Sequence, residues 1–200
     1  MPQLDSDSFT YANGGLAAGS SGKWTQLSGY LDPTIASNTL ANGAGVAAAV
    51  IASWSGSQIN HYSQFAITTT GTGSGGTTVR SDAVSTLYTI NVTTTGGDTI
   101  VYKVIAGVVT SLSAVTITWA IADVVYMEMQ GDTIITKQNG TTRHNFTDSS
   151  IASGKPGVQM DANPASYDDW AAGGFVEIGI GRGNPVAEIL RPFHFHTGRR

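Results

Sequence analysis

Few side chains in this sequence are able to do chemistry, and they are scattered. There are 14 acidic residues, four histidines and no cysteine. The last absence removes thiolate nucleophiles, disulfides and the common zinc ligands at once. Trp54, Gln58, Asn60, His61 and Tyr62 set an indole and a phenol beside amides and an imidazole in one short stretch. That mixture suits a saccharide, because an aromatic ring covers the apolar face of a sugar while polar groups fix its hydroxyls. Trp54, Asn60, His61 and Tyr62 are therefore candidate ligand-binding residues. Phe193-His194-Phe195-His196 puts two imidazoles on one face of an extended segment and two phenyl rings on the other. A transition-metal site needs a further ligand, so Phe193 and Phe195 are read as a packing strip for another subunit. The loop TDSSIASGKPGVQM, Thr147–Met160, holds Gly154, Pro156 and Gly157 close together. It is no phosphate cradle, since Lys155 is followed by Pro156 rather than by Ser or Thr. Its shape reads as a corner that returns the chain to a sheet.

The elements that must position these groups are short strands. Charged residues make up only 12% of the chain, against about a quarter in ordinary soluble domains. HYSQFAITTT, STLYTINVTTT, TIVYKVIAG, VVTSLSAVTITW, VVYMEMQ, DTIITKQNG and GFVEIGIG are rich in branched and aromatic residues. Glycine- and asparagine-rich turns separate them. In VYMEMQ, Val125, Met127 and Met129 share one face and Tyr126, Glu128 and Gln130 the other. VAAAVIASW reads as a strand of small apolar residues, although its alanines also suit a helix. About ten to twelve strands with no long helix predict an all-β sandwich or barrel. Trp119, Trp24 and Trp170 are expected in the core.

Formal net charge is −4, with no basic block before the last two residues. Counterion release from a nucleic acid needs a cluster of cations, so no nucleic acid is expected as partner. No apolar run reaches membrane-spanning length, so no membrane insertion is expected. No secretory leader is recognised; export by another route, carriage on a particle or a mature form would each fit. Sequons at Asn91, Asn139 and Asn145 would matter only in a eukaryotic secreted protein.

The order of the pieces DSFTYANGGLAAG…KW, STLYTINV, VYKVIAGVVTSL, VYMEMQGDTIITKQNGT, TDSSIASGKPGV and YDDWAAG carries a resemblance. Together they resemble the concanavalin A-like lectin/glucanase superfamily, in its laminin-G-like form, from about Asp7 to Val176. The resemblance implies a jelly-roll sandwich of two antiparallel sheets. Residues 1–185 would form that domain and residues 186–200 a C-terminal arm or final edge segment. It implies that a ligand lies on the concave sheet or its rim, and that Arg80 corresponds to a recurring arginine near the ligand-facing sheet. It also implies a test for catalysis. The family's retaining glucanases use an E-x-D-x-x-E strand, whose chemistry needs two carboxyl groups about 5 Å apart. Here Glu128 has Gln130 at i+2, Asp132 lies beyond a glycine, and Glu177 stands alone. No catalytic residue is assigned. Laminin-G-like domains sometimes hold calcium at a rim. Asp7, Asp168 and Asp169 would supply hard oxygens if the first and last strands were neighbours.

The expected function is a non-catalytic structural or attachment component of a phage-like virion, a decoration, fibre or adhesion domain, a role that can coexist with glycan binding. It would assemble as a homo-oligomer or with other virion proteins, on a virion or outside the cell. The alternative is a secreted or cell-surface carbohydrate-binding module. A glycoside hydrolase-like enzyme comes last, because the paired carboxylates are missing.

Overall fold

The computed structural model describes residues 5–41, 50–54, 59–82, 85–161 and 165–175. Along the chain run β1 (Asp5–Asp7), β2 (Gly14–Gly15), α1 (Leu16–Gly19), β3 (Trp24–Gln26), β4 (Thr34–Ala36) and β5 (Thr39–Ala41). Next come β6 (Val50–Trp54), β7 (His61–Ile67), β8 (Ser74–Ser81), β9 (Leu87–Thr93), β10 (Asp98–Ile105) and β11 (Val108–Thr116). The described part ends with β12 (Val124–Gln130), β13 (Thr133–Gln138), β14 (Thr141–Thr147), β15 (Lys155–Met160) and β16 (Tyr167–Gly174). The described piece of VAAAVIASW is thus a strand. The Phe193–Phe195 strip and the arm at 186–200 lie outside the described residues.

Two sheets result. One has nine strands in the order β14-β13-β12-β7-β16-β5-β4-β2, with β1 added beside β16. The other has seven, in the order β11-β10-β9-β8-β15-β6-β3. The described ladders are antiparallel, as in β9 on β10 and β12 on β7. Period-two patterning explains which side chains go inside. Val125, Met127 and Met129 from β12 are fully buried and join one core with Phe65, Tyr88, Val101 and Val158. Each such apolar side chain contributes about 1.5–3 kcal/mol relative to exposure.

Trp24, Trp119 and Trp170 are in that core. The indole of Trp24 meets that of Trp170 edge-on at 4.7 Å. Trp119 donates from Nε1 to Thr99 Oγ1 at 2.7 Å, which meets the requirement of a buried indole for an acceptor. A polar thread crosses between the sheets. Ser63 Oγ on β7 donates to the Gly157 carbonyl on β15 at 3.0 Å and accepts from Trp170 Nε1 at 2.9 Å. Thr77 on β8 completes it through its contact with Ser63 Oγ. Hydroxyls thereby tie the two layers at a point where apolar contact alone would leave register free.

The corner at Thr147–Met160 does what its composition predicts. Gly154 lies against the backbone of Arg80, where an added Cβ would come within 2.3 Å of the Arg80 carbonyl carbon. No larger residue fits there. The chain then enters β15, which pairs with both β8 and β6.

Candidate functional site

The outer face of the seven-stranded sheet carries a cleft of about 280 Å³, lined by Tyr30, Thr89, Asn91, Tyr102, Val104, Val109, Gln159 and Asp161. Alternation on β9 produces its floor. Tyr88, Ile90 and Val92 enter the core, so Thr89 and Asn91 face outward. On β10, Tyr102 stands opposite Thr89 and Val104 opposite Leu87. Leu27, Leu87 and Val104 form a small separate apolar cluster under Tyr30. That cluster seats the turn bearing Tyr30, and Ser85 Oγ ties the same turn down by donating to the Ser28 carbonyl at 2.8 Å. Burial raises the pKa of the Tyr30 phenol above its ordinary value.

β8 passes beneath the floor between β15 and β9, and there it has Gly76. Gly76 pairs with Gln159, and a Cβ on it would lie 1.5 Å from the Ile90 carbonyl oxygen. Strands lie about 4.8 Å apart, so side chains two strands away meet only if the middle strand leaves room. They do meet here: Thr89 Oγ1 donates to Gln159 Oε1 at 3.1 Å. Asp161 gathers the remaining donors. Gln159 Nε2 donates to its Oδ1 at 3.0 Å, and Asn91 Nδ2 and Ser74 Oγ donate to its Oδ2 at 3.2 and 2.7 Å. The cleft therefore pairs two tyrosines with two amides, a hydroxyl and one carboxylate. Asp161 is the only carboxylate among its described lining residues.

A second hollow, about 420 Å³, lies on the nine-stranded sheet beside Tyr62, Gln64, Val124, Tyr126, Lys137 and Gly140. Its aromatic faces are largely engaged with one another. Tyr62 stacks on Tyr126 with ring centres 5.3 Å apart. Lys137 Nζ sits 4.6 Å over the Tyr126 ring and 3.3 Å from Glu128 Oε1. Burial, with Glu128 accepting from its hydroxyl, pushes the Tyr126 phenol far above its usual range. This is a packed surface ladder and offers a sugar little free ring face.

The residues singled out by sequence do not converge on the cleft. His61 is fully buried, and its Nε2 accepts the Arg80 backbone amide at 3.1 Å. Arg80 is 1% exposed. Its guanidinium donates to the carbonyls of Ile59 at 3.2 Å, Ile151 at 2.5 Å and Gly131 at 2.5 Å. Asn60 accepts the Gly131 amide at 2.7 Å. The structure places these three, expected as ligand contacts, in a clamp at one end of the sandwich and outside the cleft lining. Tyr62 is 8% exposed and belongs to the ladder on the other sheet. Trp54 stands opposite Trp24 in the β6–β3 ladder; its side chain is outside the described ones.

The acidic residues expected at a calcium site do become neighbours, since Asp7 pairs with Trp170 across β1 and β16. Burial and the charges of Asp169 and Asp7 raise the Asp168 pKa, despite the amide of Asp169 that donates to it. The donor set does not fit calcium. Asp7 Oδ1 accepts the Phe9 amide at 2.8 Å, and Oδ2 accepts Trp24 Nε1 at 2.8 Å and the Tyr11 hydroxyl at 2.5 Å. Among the described residues no three His, Asp or Glu side chains group as metal ligands. The Asp7 carboxylate is a bracket for the core indole.

What sequence reading missed is the cleft itself. Its one advance signal was the alternation that turns Thr89 and Asn91 away from the core; Tyr30, Tyr102, Gln159 and Asp161 come from three other parts of the chain.

No protein-family model matches the sequence, and no curated protein matches it. Solved structures do match in fold. One is the carbohydrate-binding module CBM66 from Bacillus subtilis, with a TM-score of 0.60 and 19% identity over 74% of this chain and 93% of that one. Another is a Bacillus subtilis protein of unknown function with a galectin-like fold, at 0.62 and 10% identity over 86% and 96%. A third is Bacteroides ovatus xyloglucan PUL GH43B, at 0.55 and 14% identity over 88% of this chain and 40% of that one. Identities this low speak for the fold alone. The chain is an all-β, concanavalin A-like jelly-roll sandwich of two antiparallel sheets.

Proposed function

We propose that this protein is a non-catalytic carbohydrate-binding domain whose ligand lies in the cleft on the seven-stranded sheet. The observation that carries the reading is the meeting of Tyr30 and Tyr102 with the amide and carboxylate floor of Thr89, Asn91, Gln159 and Asp161. Tyrosine rings can cover the apolar C–H face of a sugar, and the floor groups can hold its hydroxyls. The volume of about 280 Å³ suits one end or one short segment of a glycan, near the lower limit of ligand sites at about 300 Å³. Retaining glycoside hydrolysis uses two carboxyl groups, and the single Asp161 supports binding without turnover.

Likeness to a carbohydrate-binding module and to a galectin-like fold supports this alternative over the virion component that composition suggested. A glycan partner implies work outside the cell or at a particle surface. The test is a glycan array followed by calorimetry with the wild type and Tyr102→Ala. Binding by the wild type, weakened about tenfold or more by the loss of the ring, is the expected result. Equal affinity for both would place the ligand elsewhere.

A further inference from the structure

The geometry points to Asp161 as a positioning residue that sets the hydrogen-bond sense of the cleft. A carboxylate only accepts hydrogen bonds when ionised. The ends of Asn91 and Gln159 that meet it, at 3.2 and 3.0 Å, must therefore be their NH₂ groups. Ser74 Oγ, at 2.7 Å, adds a third donor and completes the lock. Each amide is thereby left with its carbonyl oxygen for other partners. Gln159 Oε1 takes one hydrogen bond from Thr89 and keeps a second lone pair. Asn91 Oδ1 is itself buried with no hydrogen-bond partner, so Gln159 Oε1 is the amide acceptor that the lock leaves for a ligand.

The floor is thus biased towards acceptors, and the chemistry that satisfies Gln159 Oε1 is a hydroxyl donor on the ligand. A sugar hydroxyl provides that; an ether, a carboxylate or a fluorinated position does not. This specificity rests on the carbohydrate-binding reading above, whereas the amide lock exists in the free protein whatever the ligand.

Two measurements separate them. In the free full-length chain, nitrogen-15 NMR of the Asn91 and Gln159 NH₂ groups should show slow exchange with water, lost in Asp161→Asn, whose side chain no longer forces the amide sense. Free exchange in the wild type overturns the lock, and that result stands even if the variant does not fold. The second measurement titrates wild-type protein with methyl glycosides of glucose, galactose, mannose, xylose and fructose and with their deoxyfluoro analogues. A hydroxyl-to-fluorine exchange at the contacted position should cost about tenfold or more in affinity, with that ratio falling towards one in Asp161→Asn. Equal binding of sugar and fluoro-sugar overturns the acceptor floor. No binding to any of the glycosides by protein with locked amides overturns the carbohydrate reading and its specificity together, while the lock stands.

Discussion

The backbone amide of Arg80 donates to Nε2 of His61 at 3.1 Å. The two residues are joined inside the sandwich, and Arg80 takes a left-handed φ of 52° to make the contact. The imidazole accepts, so its proton is on Nδ1. On the far side, the arginine head holds three carbonyls from the Ile59, Gly131 and Ile151 turns. Arg80→Met should destabilise the fold by about 3 kcal/mol, since three carbonyls lose charged donors and that of Ile151 is buried. Urea denaturation checks this, and a change within about 0.5 kcal/mol would refute the clamp.

Gly76 is expected to tolerate no side chain. Gly76→Ala should cost several kcal/mol or rearrange β8, because its Cβ would strike the Ile90 carbonyl oxygen at 1.5 Å. The same substitution should open the Thr89–Gln159 contact across the strand. Thermal unfolding reads the first effect and glycan titration the second; a variant as stable and as competent as the wild type would contradict both.

His144 should make stability sensitive to mild acid. Burial lowers its pKa below the ordinary 6.5, and its Nε2 has no partner while Nδ1 faces Ser113 Oγ at 3.0 Å. Its contribution is complete above the unfolded value of about 6.5. It is lost as pH falls through that value towards the lower folded one, because the unfolded chain binds the extra proton. His144→Gln should flatten the fall in unfolding midpoint between pH 7.5 and 5, and an unchanged slope would exclude the residue as its source.

Asp148 should govern a second, more acidic loss. Burial pushes its carboxyl up, but Lys103, Tyr88 and Ser150 more than offset this and hold it well below the carboxylate range. Its stabilisation is present above the unfolded value of about 3.9 and is lost below it. Tyr88, raised by burial and by its hydrogen bond to Asp148, should ionise at about 12. Asp148→Asn should remove the steepest part of acid unfolding near pH 3 and cost about 1–3 kcal/mol at neutrality. Ultraviolet titration of the Tyr88→Phe difference would check the phenol.

The two faces should separate in binding. Tyr102→Ala is expected to weaken glycan binding, whereas Tyr62→Ala, on the other sheet, should leave it unchanged. Loss of binding only on removal of Tyr62 would move the site to the nine-stranded sheet.

The sequence by itself determined the β architecture. Val125, Met127 and Met129 could alternate with Tyr126 and Glu128 only on a pleated strand with one dry face, and local patterning of that kind reports burial directly. Gly154 and Pro156 likewise announced a corner, because backbone geometry is a local property. What only the tertiary structure decided is which polar residues share a place. Asn91 on β9 and Asp161, just past β15, meet across the start of β8, 70 residues of chain separating the partners. The same long-range pairing took His61 and Arg80, polar and plausible as ligand contacts, into the interior. Strand alternation says which way a side chain points; sheet order says what it finds there, and that order is set by contacts the linear pattern does not encode.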